Sequence, residues 1–195
     1  MNRVTGSVGV SCSWKEETRF RRVCRWLKMT KIYDIPEYIL VSYVLFWFGF
    51  FFHFIGFVAP NWYSYTKYGN TTIYGGIWRT CVKNIGCHDI IDGDVSSWME
   101  ATQTFEIFGF LILLVTAAIF TAKLCRFENK TDKYTWIIIG LLFTSCFFVM
   151  LGFIIFASAA PAIIQTNMDF AFGMIIVAAI FLVLSGNFFV LDATK

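Results

Sequence analysis

The side chains that could do chemistry are few in this sequence. The cysteines are Cys12, Cys24, Cys81, Cys87, Cys125 and Cys146, and the histidines are His53 and His88. Cys81, Cys87 and His88 are close enough along the chain to share a metal ion. A structural zinc ion normally takes four such ligands, and no fourth is near. No metal site is therefore predicted.

Polar residues inside the apolar segments are the next candidates, because such residues often mark functional sites. They are His53, Glu106 and Asn187. We expect Glu106 to lie at a helix entrance, where the helix dipole favours an acid, and His53 to form one hydrogen bond between helices. Neither Gly-x-Ser-x-Gly nor His-Glu-x-x-His occurs, and no apolar segment carries two acids. Neither enzymatic activity nor a cofactor is predicted.

The composition indicates a membrane protein. Of the 195 residues, 57% are hydrophobic, and only 15% are charged, against about a quarter in soluble domains. The mean hydropathy is +0.64. These values exclude a disordered chain, a collagen-like repeat and a soluble enzyme. The net charge is only +3 and the basic cluster is confined to the first 31 residues, so nucleic-acid binding is not predicted.

Four apolar stretches are long enough to cross a bilayer as helices: about 39–60, 105–125, 135–157 and 170–190. At 1.5 Å per residue, helices of this length cover a hydrocarbon core of about 30 Å. The first stretch contains no charged residue, and because a polar segment of 38 residues precedes it, it resembles a retained signal anchor. The predicted fold is an all-α membrane protein, a four-helix transmembrane bundle over residues 39–190.

Lysine and arginine positions predict the orientation, because these residues favour the cytoplasmic side. The tail 1–38 carries eight, the connection 122–134 carries four, and the C-terminal segment 191–195 carries one. The opposite side has three in the loop 61–104 and none in the short loop 158–169. Both termini are therefore expected in the cytoplasm, with the protein in the plasma membrane. A translation start at Met29 would remove seven charges without changing this orientation.

The large extracellular loop 61–104 is expected to form a small antiparallel β-sheet. Its first half is rich in Trp, Tyr, Thr and Ile, which favour strands, and it contains Gly-rich turn sequences. Cys81 and Cys87 are the two cysteines expected on the oxidising side, so a disulfide between them is predicted. Two unpaired thiols are the alternative. The sequon at Asn70 lies in this loop and is a candidate glycosylation site, whereas the sequon at Asn129 faces the cytoplasm and is expected to stay unmodified.

One set of loop residues resembles a family signature. Trp62, Gly76, Ile77, Trp78, Cys81 and Cys87 match the Trp…Gly-Leu-Trp…Cys…Cys pattern of the claudin, peripheral myelin protein, epithelial membrane protein and lens fibre membrane protein superfamily. Trp98 with Gln103, and Leu184-Ser185-Gly186, are similar to its myelin and epithelial branch. Ile77 replaces the usual Leu, and the cysteines are closer together than in claudins, which implies a shorter hairpin. The tryptophans are expected at the outer membrane interface, either packing the loop or contacting a partner.

The resemblance implies a non-enzymatic protein that organises cell–cell contacts or the membrane through lateral and loop-mediated contacts. Its expected partners are the lipid bilayer, copies of itself or related four-span proteins, and a channel or junction protein. The alternatives are an auxiliary subunit of an ion channel, similar to the calcium-channel gamma branch, and a paracellular barrier or ion path. The charged C-terminal tail makes binding to a PDZ domain doubtful. Small residues in the spans, including Gly109, Gly140, Gly152 and Gly173, are expected to pack helices together.

Overall fold

The computed structural model describes residues 36–67, 71–90, 95–126 and 133–194. Its helices are α1 (Glu37–Val58), α2 (Ser97–Arg126), α3 (Lys133–Ala159), the short α4 (Ala162–Gln165) and α5 (Phe170–Ala193). Its strands are β1 (Tyr63–Lys67), β2 (Thr71–Gly75), β3 (Arg79–Val82) and β4 (Gly86–Asp89). Helices α1, α2, α3 and α5 are long and apolar enough to cross a membrane. The predicted fold class, four spans with an antiparallel sheet after the first, is confirmed. The basic N-terminal tail lies outside the described residues.

Helix α2 starts well before its apolar stretch. It begins at Ser97, eight residues ahead of the predicted start of the second span at residue 105. The added two turns are richer in polar residues than the rest of the helix, and Gln103 in them donates a hydrogen bond to the segment between β2 and β3. Glu106 is consequently not at a helix entrance, as expected from the sequence, but in the third turn of α2, where its side chain is fully buried.

Helices α1 and α5 approach closely because α1 carries a small buried residue at every seventh position. These residues are Ser42, Gly49 and Gly56. A Cβ added to Gly49 would come within 3.2 Å of the Ala178 carbonyl oxygen, and one added to Gly56 within 3.0 Å of the Ala171 carbonyl oxygen. Seven residues are close to two helical turns, so this spacing keeps one narrow face toward the partner helix. Any larger side chain there would push the helices apart.

A reciprocal pair of hydrogen bonds joins the same two helices near their other ends. The Ser42 hydroxyl donates to the Ser185 carbonyl oxygen, and the Ser185 hydroxyl donates to the Ser42 carbonyl oxygen, both at 2.8 Å. Both serines are fully buried. In hydrocarbon a hydroxyl without a partner is costly, so this exchange satisfies both groups while fixing the register of α1 against α5.

Helices α2 and α3 also pack through glycine. A Cβ on Gly109 would meet the Val149 side chain at 2.7 Å, and a Cβ on Gly152 would meet Glu106 Oε1 at 2.5 Å. The expectation of helix packing does not hold within this chain for Gly140 and Gly173, because an added Cβ at either would meet no described atom within 4 Å.

Large aromatic rings fill the seam between α1 and α2. The Phe110 ring of α2 stacks on Phe57 with centroids 5.0 Å apart and on Phe50 at 6.0 Å. Further along the seam, the ring centroids of Phe46 and Phe120 are 5.7 Å apart. Rings of this size hold α1 and α2 farther apart than glycine contacts would, so the close helix pairs are α1 with α5 and α2 with α3, and α3 also packs directly against α5.

The four strands form one antiparallel sheet in the order β1-β2-β3-β4. The β1 edge meets the segment before α5, where the Ser64 amide donates to the Asn167 carbonyl oxygen at 3.0 Å and Tyr63 bridges to Met168. The opposite edge is β4, whose four residues are all exposed. The sheet is therefore held to the helices along its β1 side, whereas no described segment pairs with its β4 side.

Candidate functional site

The sheet is attached to the first span by two tryptophan side chains. Trp62 Nε1 donates to the Gly56 carbonyl oxygen at 2.7 Å, and Trp78 Nε1 donates to the Phe57 carbonyl oxygen at 2.6 Å. Both acceptors lie in the last turn of α1, where carbonyl groups lack partners within the helix. The two indoles thus cap the C-terminal end of α1. The sequence predicted interfacial tryptophans, but not these acceptors, because helix-end carbonyls carry no side-chain signal.

Gly76 allows the sheet to approach the chain that leaves α1. A Cβ at this position would come within 2.5 Å of the Ala59 carbonyl oxygen and 2.9 Å of Pro60 Cα. Both atoms belong to the backbone and cannot move aside as the end of a flexible side chain can. The Gly76 amide also donates to the Arg79 carbonyl oxygen at 2.8 Å, which closes the turn between β2 and β3. Only glycine fits this position.

Ile77 and the start of α2 complete the attachment. The Ile77 side chain is fully buried, and its carbonyl oxygen accepts a hydrogen bond from Gln103 Nε2 at 2.6 Å. One turn earlier, Trp98 packs edge-on against the Phe156 ring with centroids 5.6 Å apart. Through Gln103, the first two turns of α2 therefore support the sheet at the segment between β2 and β3.

The Cys81–Cys87 disulfide predicted from the sequence is present. The two residues lie directly opposite each other on β3 and β4, one pair before the turn that ends the hairpin. The cysteines are therefore not available as thiolate ligands. Among the residues described, no cluster of three or more His, Cys, Asp or Glu side chains could hold a metal ion.

The charged side chains that the structure describes in the loop are exposed to solvent and do not gather into one site. Arg79 Nε donates to Asp89 Oδ1 at 2.6 Å, with the two side chains 64% and 50% exposed. Such an exposed pair is expected to contribute about 1 kcal/mol or less to stability. The candidate glycosylation site Asn70 and the acidic residues Asp92 and Asp94 lie outside the described residues.

Tyr63, on β1, is buried, and its hydroxyl is hydrogen-bonded. Burial raises its pKa above the ordinary tyrosine value, and the hydrogen bond between its hydroxyl and Thr80 Oγ1, at 3.1 Å, partly offsets this. Its ring is 5% exposed and packs in the cluster beneath the sheet.

A buried polar pair crosses the aromatic seam below the sheet. His53 Nε2 lies 3.0 Å from Glu106 Oε2, and both side chains are fully buried. The expectation that His53 forms one hydrogen bond between helices is thus confirmed, with Glu106 as its partner. His53 Nδ1 and Glu106 Oε1 have no hydrogen-bond partner within the described part of the chain. The third polar candidate, Asn187, is exposed on α5 and belongs to no site.

These features describe an integral membrane protein. Four apolar helices carry a disulfide-closed antiparallel sheet, which two tryptophans and a glycine lock to the end of the first span. This is the claudin-like class of four-span membrane proteins. The chain belongs to the PMP-22/EMP/MP20/Claudin family, whose match covers residues 37–189. The resemblance seen in the sequence is therefore confirmed. No individual curated protein matches the chain.

Proposed function

We propose that this protein organises cell–cell contacts at the plasma membrane through its sheet and through lateral contacts with other membrane proteins, without enzymatic activity. The observation that carries the proposal is the rigid attachment of the sheet to the bundle. A binding surface on a preorganised element loses less conformational freedom on association than a loose loop does. The family is generally non-enzymatic, in keeping with this role.

Within this proposal, the motif residues Trp62, Gly76, Ile77 and Trp78 hold the sheet in place rather than contacting a partner. Two observations support this role: the indole N–H groups donate to helix carbonyl oxygens, and Trp62 and Ile77 are fully buried. Partner contacts would then fall to the exposed part of the sheet. The distribution of basic residues in the sequence supports an orientation with that sheet outside the cell and both termini in the cytoplasm.

The test is localisation of the tagged full-length chain in a polarised epithelial layer, grown as a mixture of expressing and non-expressing cells. We expect enrichment at borders between cells, together with a changed transepithelial resistance. Enrichment confined to borders between two expressing cells would indicate contact between copies. A diffuse signal with unchanged resistance would overturn the proposal and favour an auxiliary subunit of an ion channel, which copurification with a pore-forming protein would then identify.

A further inference from the structure

Asn187 is a polar side chain on the outward face of a span. It belongs to no site within one copy of the chain: it is exposed on α5, and its carboxamide forms no hydrogen bond with any described residue. By contrast, the polar side chains of Ser42, His53 and Ser185 are fully buried in the bundle and hydrogen-bonded. Polar side chains of membrane helices normally face the bundle interior. Asn187 therefore departs from the pattern that these three residues follow.

The position of Asn187 along α5 places it inside the hydrocarbon core. Helix α5 has 24 residues and is about 36 Å long, against a core of about 30 Å. The nearest charged residue along the helix, Asp192, is about 7.5 Å further toward its C-terminal end. A long Lys side chain can extend to the interface from such a depth, but an Asn side chain is too short to do so. Because an amide without a partner is costly in hydrocarbon, a partner from another chain would stabilise Asn187.

The residues around Asn187 on this face of α5 follow a heptad spacing. They are separated alternately by four and three positions, and we call them the α5 seam: Gly173, Val177, Ile180, Leu184, Asn187 and Leu191. All but Gly173 are exposed, and a Cβ added to Gly173 would meet no described atom within 4 Å. Alternating spacings of four and three form the contact face of a left-handed coiled coil. The α5 seam therefore has the pattern of a helix-packing face, and no described segment covers it.

We propose that two copies of this chain in one membrane associate through the α5 seam, with their Asn187 carboxamides hydrogen-bonded to each other. The inference rests on the proposed function, whose lateral contact it assigns to one surface. A two-fold axis along the membrane normal places each seam residue opposite its own counterpart. A carboxamide has both a donor and an acceptor, so it can pair with its counterpart, whereas two Lys or two Asp side chains would repel each other. A single Asn in such a seam also fixes the register of the two helices.

The experiment measures energy transfer between donor-labelled and acceptor-labelled full-length chains in phosphatidylcholine vesicles, over a range of lipid-to-protein ratios. Asn187→Leu removes the amide pair and leaves an apolar seam. Its control is Thr144→Val, which also removes a polar group from an exposed position, but on α3. Gly173→Leu places a bulky side chain in the seam. Its control is Gly140→Leu on α3, because an added Cβ meets open space in one copy of the chain at both glycines.

We expect energy transfer that rises with protein density for the wild type and both controls. Asn187→Leu should lower the association constant about 3- to 20-fold, the range measured for polar contacts between membrane helices, and Gly173→Leu should lower it by a similar factor. A wild-type melting temperature in detergent, at a dilution at which the wild type is monomeric, shows that each variant is folded. Energy transfer that is absent from the wild type, that either seam substitution leaves unchanged, or that the controls lower equally would overturn the inference. If the protein is nonetheless enriched at cell borders, the proposed function stands and a different protein or surface makes the lateral contact.

Discussion

The buried pair between His53 and Glu106 gives the sharpest test of how this bundle is held together. We expect His53→Leu and Glu106→Met each to destabilise the protein, because each leaves one polar group buried without its partner. The double variant should be more stable than the sum of the two single losses predicts, because it leaves neither group behind.

The size of the effect follows from the environment of the pair. Removing one member of a buried ion pair in a soluble protein costs about 3–5 kcal/mol, but polar contacts between membrane helices couple by only about 0.6 kcal/mol on average and about 1.7 at most. Both side chains here are fully buried, and Glu106 has no second partner among the described residues. We therefore expect a coupling energy near the upper end of the membrane range, about 1–2 kcal/mol.

The assay is the free energy of unfolding of the purified protein in mixed micelles with increasing denaturing detergent, measured for the wild type, both single variants and the double variant. Glu106→Gln should be milder than Glu106→Met, because its amide can still donate to His53. Glu100→Met, at an exposed site on α2, is the control and should change stability by less than about 0.5 kcal/mol. Additive losses in the double variant, or single losses below this control level, would refute the argument.

Three further predictions concern the sheet and the topology. Gly76→Ala should lower the melting temperature sharply because of its backbone clash, whereas Gly140→Ala, in open space, should not; thermal unfolding in detergent compares them. Since burial raises the pKa of Tyr63, the folded state holds its proton longer than the unfolded state as pH rises. Its contribution to stability is therefore complete below about pH 10 and lost as pH rises through the folded-state pKa, and Tyr63→Phe should remove this dependence. In glycosylating cells, Asn70→Gln should shift the gel band and Asn129→Gln should not; the reverse would invert the proposed orientation.

Much of the architecture could be read from local sequence. A helix must be about twenty apolar residues long to cross a bilayer, so composition alone located the four spans. Strand-forming residues with turn glycines indicated the sheet. The disulfide followed because Cys81 and Cys87 were the only two cysteines expected on the oxidising side. Each of these inferences depends on properties of a short segment, or on which side of the membrane it lies.

Only the tertiary structure decided which faces of the helices contact each other. The spans are apolar all round, so no periodic pattern showed which side of α1 contacts α5. The sequence therefore did not indicate that Gly49 and Gly56 pack against α5. It also suggested a helix contact at Gly140, where an added Cβ would meet no described atom within 4 Å. The sequence suggested that Glu106 lies at a helix entrance. In the structure α2 begins at Ser97, so Glu106 lies inside the helix, where it contacts His53 of α1. Long-range pairing and helix-end carbonyl acceptors arise from how separate segments meet in space, and a linear pattern does not record that.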